Sequence, residues 1–135
     1  MALAYRYTKN QAYLDAAKRS AHYFMANVAL NDYIPLLDSG AEGAGLYDTT
    51  AGACAACGLL ELSEHVGEYE KPLYVQSALR CLKAVQAFCE WDPDKDSILD
   101  GGSARYDRPQ TARSRLFTAI ISLQRLFCVL EKKHF

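Results

Sequence analysis

The sequence predicts an all-α fold in which about three helical pairs, inner helices alternating with outer ones, form part of an α/α toroid. Three observations predict it. Apolar residues recur at helical spacing through every long segment, with no period-two alternation. Segments apolar on one face (12–29 and 72–91) alternate with segments apolar nearly all round (48–65, 113–131 and one ending near Tyr7), and a helix apolar on all sides is buried on all sides. The connections alternate too: those leaving an all-round segment run about 3 to 7 residues, those entering one about 20. An inner ring wrapped by an outer ring, with all its long connections on one side, has this order. A closed ring of six pairs needs roughly twice this length, so residues 1–135 are expected to be one incomplete domain.

Ala2-Leu-Ala-Tyr-Arg-Tyr7 resembles the last turns of a helix rather than a beginning. In 12–29 the stripe is Leu14, Ala17, Ala21, Phe24 and Val28; Asp15, Lys18, Arg19, His22 and Asn27 lie largely outside it, and His22 is read as a surface residue without a partner. The connection 30–47 is broken by Pro35, Gly40, Gly43 and Gly45, yet Tyr33, Ile34, Leu36, Leu37 and Tyr47 are too apolar for a free linker. A long connection with its own packing residues suggests function.

Asp48-Thr49-Thr50 opens the next helix with side chains that accept hydrogen bonds from free backbone N–H groups. The body of that helix is almost wholly Ala, Gly and Cys, and it ends in Leu59, Leu60 and Leu62. Gly52 and Gly58 each cost about 1 kcal/mol relative to alanine in a helix, tolerable where another backbone comes close. This helix is expected to be enclosed, with its capped N-terminus at an opening where the helix dipole favours anions. Pro72 suits a first turn, and Val75, Ala78, Leu79, Leu82, Val85 and Cys89 form the next stripe. A second long connection, 92–112, leads into 113–131.

Composition narrows the function. The chain has 135 residues, half of them hydrophobic, and a net charge of -1; no basic excess points to nucleic acid. No apolar run approaches the roughly 18 residues of a membrane span, and no signal-peptide pattern opens the chain. Cys54, Cys57, Cys81, Cys89 and Cys128 all fall in expected helices, which argues against a disulfide framework and for a reducing, cytoplasmic compartment with the cysteines in the core. Cys54-x-x-Cys57 lacks the further ligands of a zinc site and the preceding strand of a redox motif. Asp92-x-Asp94-x-Asp96 has part of a calcium-loop pattern, but Ser97 and Ser103 stand where such a loop wants Gly and Glu. No metal and no cofactor are expected.

The segment Ala2 to Phe24, then Ile34-Pro-Leu-Leu-Asp38, then Asp48-Thr-Thr-Ala-Gly-Ala-Cys-Ala-Ala-Cys-Gly-Leu-Leu-Glu-Leu62, resembles glycoside hydrolase family 88, the unsaturated glucuronyl hydrolases. The likeness is good over 2–64. It implies the C-terminal half of an (α/α)6 barrel that removes an unsaturated uronic acid from lyase-cleaved polysaccharide fragments. In the family an aspartic acid protonates the ring double bond and activates water, a task suited to a carboxyl of raised pKa. The resemblance places both family aspartates in the earlier half, so it assigns no catalytic residue here and implies that the chain alone is inactive. The family usually has P-x-W-D where Pro35-Leu36-Leu37-Asp38 stands.

Candidate substrate-binding residues are Asp38, Asp48, Thr49, Arg105 and Tyr106. Asp48 caps a helix at the opening and can also bind sugar hydroxyls. Arg105 and Tyr106 sit with Arg108, Arg113 and Arg115 in a basic, aromatic stretch, and Arg matches a uronate carboxylate. The expected partner is an unsaturated uronate-containing oligosaccharide. Open inner-helix faces also predict self-association. Two other readings remain: a helical-repeat interaction module, which the alternating loop lengths oppose, and a small helical domain with an acidic calcium loop.

Overall fold

The computed structural model describes residues 1–37 and 47–87. Its helices are α1 (Ala2–Thr8), α2 (Gln11–Val28), α3 (Thr49–Ser63) and α4 (Lys71–Gln86), with a 3-10 turn at Ala29–Asn31. The only pairing of extended backbone among the described residues is one antiparallel bridge, Leu36 to Tyr47. The fold is all-α, as predicted. The connection 92–112 and the segment 113–131 lie outside the described residues.

The chain reverses between α1 and α2 in two residues. Lys9 takes a left-handed conformation (φ 55°) and its N–H bonds Tyr5 O at 2.8 Å, while Asn10 Oδ1 accepts from Ala12 N–H at 3.0 Å. The first satisfies a carbonyl at the end of α1, the second an N–H at the start of α2. α2 turns Leu14, Ala17 and Val28 inward, with Ala21 and Phe24 half-buried, the stripe the spacing predicts. α1 differs from expectation: only Ala2 is buried, and Leu3 and Tyr7 are 46% and 81% exposed. Among the described residues, only its inner side has neighbours.

Beyond α2, Asp32 (φ 51°) and Tyr33 (φ 64°) are both left-handed, a cost of about 1–2 kcal/mol per non-glycine residue. Arg80 offsets part of it by donating a hydrogen bond to Tyr33 Oη and lying over the ring, 5.2 Å from its centroid. The turn carries Ile34 and Pro35 into the interior.

α3 is enclosed on most sides. Leu59, Leu60 and Leu62 are all nearly inaccessible although no single helical face holds the three, and Ala53 and Ala56 are fully buried. α4 packs on it more extensively than any other pair of helices. The buried stripe of α4 is Tyr74, Ser77, Ala78, Cys81 and Val85, rotated from the expected one: Leu79 is 42% exposed, and Tyr74 and Cys81 take the interior. Pro72 falls in the first turn, as predicted.

Two expectations need correction. His22 is exposed but not alone: Tyr74 Oη lies 3.0 Å from its Nε2, and the two rings stack 5.8 Å apart. With the Lys18–Glu70 ion pair (2.6 Å), this contact ties α2 to the start of α4. The cysteines are not uniformly core residues either. Cys81 is buried, Cys57 intermediate and Cys54 exposed, because positions 54 and 58 share the open side of α3.

Candidate functional site

The N-terminus of α3 is built as its sequence suggests. Asp48 is the N-cap, and its Oδ1 accepts from Ala51 N–H at 3.1 Å. Its own N–H donates to Pro35 O at 2.8 Å, and the Leu36–Tyr47 bridge lies just beyond. Both ends of the segment leading into α3 are therefore joined at one neck, and the neck is anchored by Pro35. Gly52 makes that anchoring possible: a Cβ built there would lie 2.8 Å from Val85 Cγ2 and 3.2 Å from Pro35 Cδ. The helix glycines were expected to admit another backbone; at Gly52 the close approach is made by the side chains of Val85 and Pro35 instead. Gly58 is exposed, and a Cβ there meets nothing within 4 Å.

Of the expected binding residues, the structure places Asp48 and Thr49 together at this end; Asp38, Arg105 and Tyr106 lie outside the described residues. Asp48 is half-buried, and its cap bond is made by Oδ1. Thr49 is fully buried rather than at the surface. Thr50, absent from the expected set, is 9% exposed, and its Oγ1 has no hydrogen-bond partner among the described residues. A buried hydroxyl in that state is costly, and only the packing, not the sequence, shows it. Tyr47, 45% exposed, stands beside the cap. The first turn of α3 has no acidic residue, so Asp48 is the formal charge nearest the helix start within this element.

A second polar cluster lies at the opposite end of α3. Glu61 accepts from Arg6 of α1 and lies 2.9 Å from His65 Nε2, while Tyr5 meets the His65 ring edge-on at 5.4 Å. The Glu61–His65 spacing of four was legible in the sequence, whereas Arg6 is 55 residues away. This cluster ties α1 to α3. Burial pushes the Cys81 thiol up to about 11, and burial likewise raises the Tyr74 phenol. The hydrogen bond to Glu70 raises Lys18. No three His, Cys, Asp or Glu side chains among the described residues are grouped to hold a metal.

No protein-family model matches the chain, and no curated protein does. Solved structures do. The unsaturated glucuronyl hydrolase of Bacillus sp. GL1, described as responsible for the degradation of glycosaminoglycan, superposes with a TM-score of 0.79 at 27% identity over 93% of this chain. A structure described as UGL with dGlcA-Glc-Rha-Glc matches with the same values. The chain has the fold of the unsaturated glucuronyl hydrolases. It spans 35% of the length of those structures. The helical toroid of such a hydrolase accounts for the alternation seen here, α3 enclosed and α2 and α4 buried on one face. No helix among the described residues is long and apolar enough to cross a membrane.

Proposed function

We propose that this chain is part of a glycoside hydrolase of the unsaturated glucuronyl hydrolase type. Residues 1–135 are the C-terminal half of an (α/α)6 barrel, an incomplete domain that removes no unsaturated uronic acid by itself. The observation that carries the reading is the likeness over 93% of the chain to structures of that activity, one of them holding dGlcA-Glc-Rha-Glc. The substrate class is an unsaturated uronate-containing oligosaccharide. Asp48 contacts its hydroxyls from the mouth of α3, with Thr49 fixing the first turn beneath, and Asp38, Arg105 and Tyr106 complete the contact. The thiols of Cys54, Cys57 and Cys81 suit a reducing, cytoplasmic compartment. The chain also self-associates through Leu3 and Tyr7, the open apolar face of α1; a monodisperse monomer by light scattering would refute that.

The test is a chimera in which this chain replaces the matched part of the Bacillus sp. GL1 enzyme. Loss of the ultraviolet absorbance of the substrate double bond tracks hydrolysis. The chimera is expected to hydrolyse the substrate, and Asp48→Ala within it to raise KM. A folded chimera without activity, or an unchanged KM in the variant, would overturn the proposal. The isolated chain is expected to leave the absorbance constant.

A further inference from the structure

We propose that the groove between α2 and α4, beside Tyr33, binds a small organic carboxylate with a flat apolar body, and that Arg80 holds the carboxylate. The groove has a volume of about 530 Å³, the size of a small-molecule site. Leu73, Gln76, Ser77 and Arg80 form its α4 wall and Met25 its α2 wall, and Tyr33, just past the end of α2, completes it. No acidic residue lines it.

Register builds the groove. His22 and Tyr74, 52 residues apart, meet across α2 and α4, and Lys18 and Glu70 meet one turn earlier on each helix. The two helices therefore run parallel, and Met25 lies about one turn farther along, level with Ser77. Positions 73, 76, 77 and 80 are spaced three and four apart, so one face of α4 carries all four side chains. The left-handed turn at Asp32 and Tyr33 brings the Tyr33 ring to that face, where Arg80 donates to its hydroxyl at 2.5 Å and lies 5.2 Å from the ring centroid.

Arg80 is a held cation with donors to spare. Arg6, Lys18 and Lys71 each meet a glutamate, whereas Arg80 meets Tyr33 and no carboxylate among the described residues. A guanidinium has five N–H donors, and the bond to Tyr33 is made through one nitrogen, Nη1. Held against the ring, the side chain loses little freedom on taking a second partner. Its planar fork matches a carboxylate in two parallel bonds. The charge thus selects an anion, and the rest of the lining selects its body. Met25, Pro72, Leu73 and the Tyr33 ring offer apolar surface. A flat apolar ring packs there, whereas a hydroxylated one brings polar groups that only Gln76 and Ser77 are placed to pair. The inference does not rest on the proposed activity.

The experiment titrates 2-naphthoate into the isotopically labelled whole chain and follows the backbone amides and the Arg80 Nε–H by nuclear magnetic resonance. Saturable shifts at Gln76, Ser77 and Arg80 are expected, with a Kd of about 1 mM or tighter. 2-Naphthamide lacks the charge, and glucuronate carries it on a hydroxylated ring; each should bind at least about tenfold more weakly. Arg80→Gln should weaken 2-naphthoate at least about tenfold, while Lys83→Gln, which removes an exposed cation one turn on, leaves it unchanged. Arg80 also supports Tyr33, so Leu73→Glu gives a second reading: Leu73 is 50% exposed, and a carboxylate there repels the ligand without disturbing the core. A Kd weaker than about 1 mM, equal affinity for either comparison compound, or equal binding by wild type and Leu73→Glu would overturn the proposal. So would shifts centred on Asp48 and Thr49, which would assign the carboxylate to the start of α3.

Discussion

Replacing Gly52 by alanine is expected to destabilise the chain, although alanine is the better helix former. Alanine at an interior helical position gains about 1 kcal/mol over glycine. Against that gain, the new methyl would stand 2.8 Å from Val85 Cγ2 and 3.2 Å from Pro35 Cδ. Val85 is 1% exposed and β-branched, so in a helix it has essentially one rotamer and cannot swing aside. The proline ring is equally stiff, and moving it disturbs the carbonyl that holds Asp48 N–H. Overpacking of this kind costs about 1–3 kcal/mol, which leaves a net loss of about 1 kcal/mol. Gly58→Ala, in the same helix but in the open, should gain about 1 kcal/mol. Urea unfolding followed by circular dichroism separates the two, with midpoints moving in opposite directions from wild type. Val85→Ala combined with Gly52→Ala should show a favourable coupling of about 1 kcal/mol, since the two sites touch. If Gly52→Ala stabilises as much as Gly58→Ala, the close approach of Pro35 and Val85 to α3 is wrong, and with it the placement of the neck.

Asp48→Ala should lower stability by about 1 kcal/mol through the lost cap, and Asp48→Asn should restore it; equal midpoints for all three proteins would remove Asp48 from the cap. Thr50→Val deletes a buried hydroxyl without a partner and should leave stability unchanged or raise it by up to about 1 kcal/mol, so a clear loss in urea would reveal a bond to Oγ1. The Cys81 thiol ionises less readily in the fold than in the unfolded chain. Its contribution is therefore complete below the unfolded value of 9.0 and is lost as pH rises toward about 11. Stability measured across that window should fall less in Cys81→Ala; Lys18 and Tyr74, both raised, lose their contributions at the upper end in either protein. At neutral pH a thiol reagent should modify Cys54 long before Cys81.

The helices and their order were legible because local chemistry specifies them. Leu14, Ala17 and Val28 at helical spacing defined α2, and Asp48 before a small-residue run defined the start of α3. Non-local contacts were not legible. His22 meets Tyr74 across 52 residues, and nothing near His22 in sequence indicates a partner. The same contact explains the rotated α4 stripe: hydropathy favours Leu79 for the interior, but burying the Tyr74 ring while its hydroxyl reaches His22 turns that face inward. Gly52 and Gly58 look alike in sequence, and only the neighbour opposite each distinguishes them. At the candidate site the cap was legible from Asp48, whereas the full burial of Thr49 and the unmet hydroxyl of Thr50 arise from packing that no local pattern encodes.

The pinched junction at Pro35, Leu36, Tyr47 and Asp48 has a consequence for evolution and engineering alike. Because entry and exit are clamped side by side, the nine intervening positions, 38–46, can be swapped or lengthened as a cassette while the α3 origin keeps its place. The sequence between those two points can then vary at little thermodynamic risk to the scaffold.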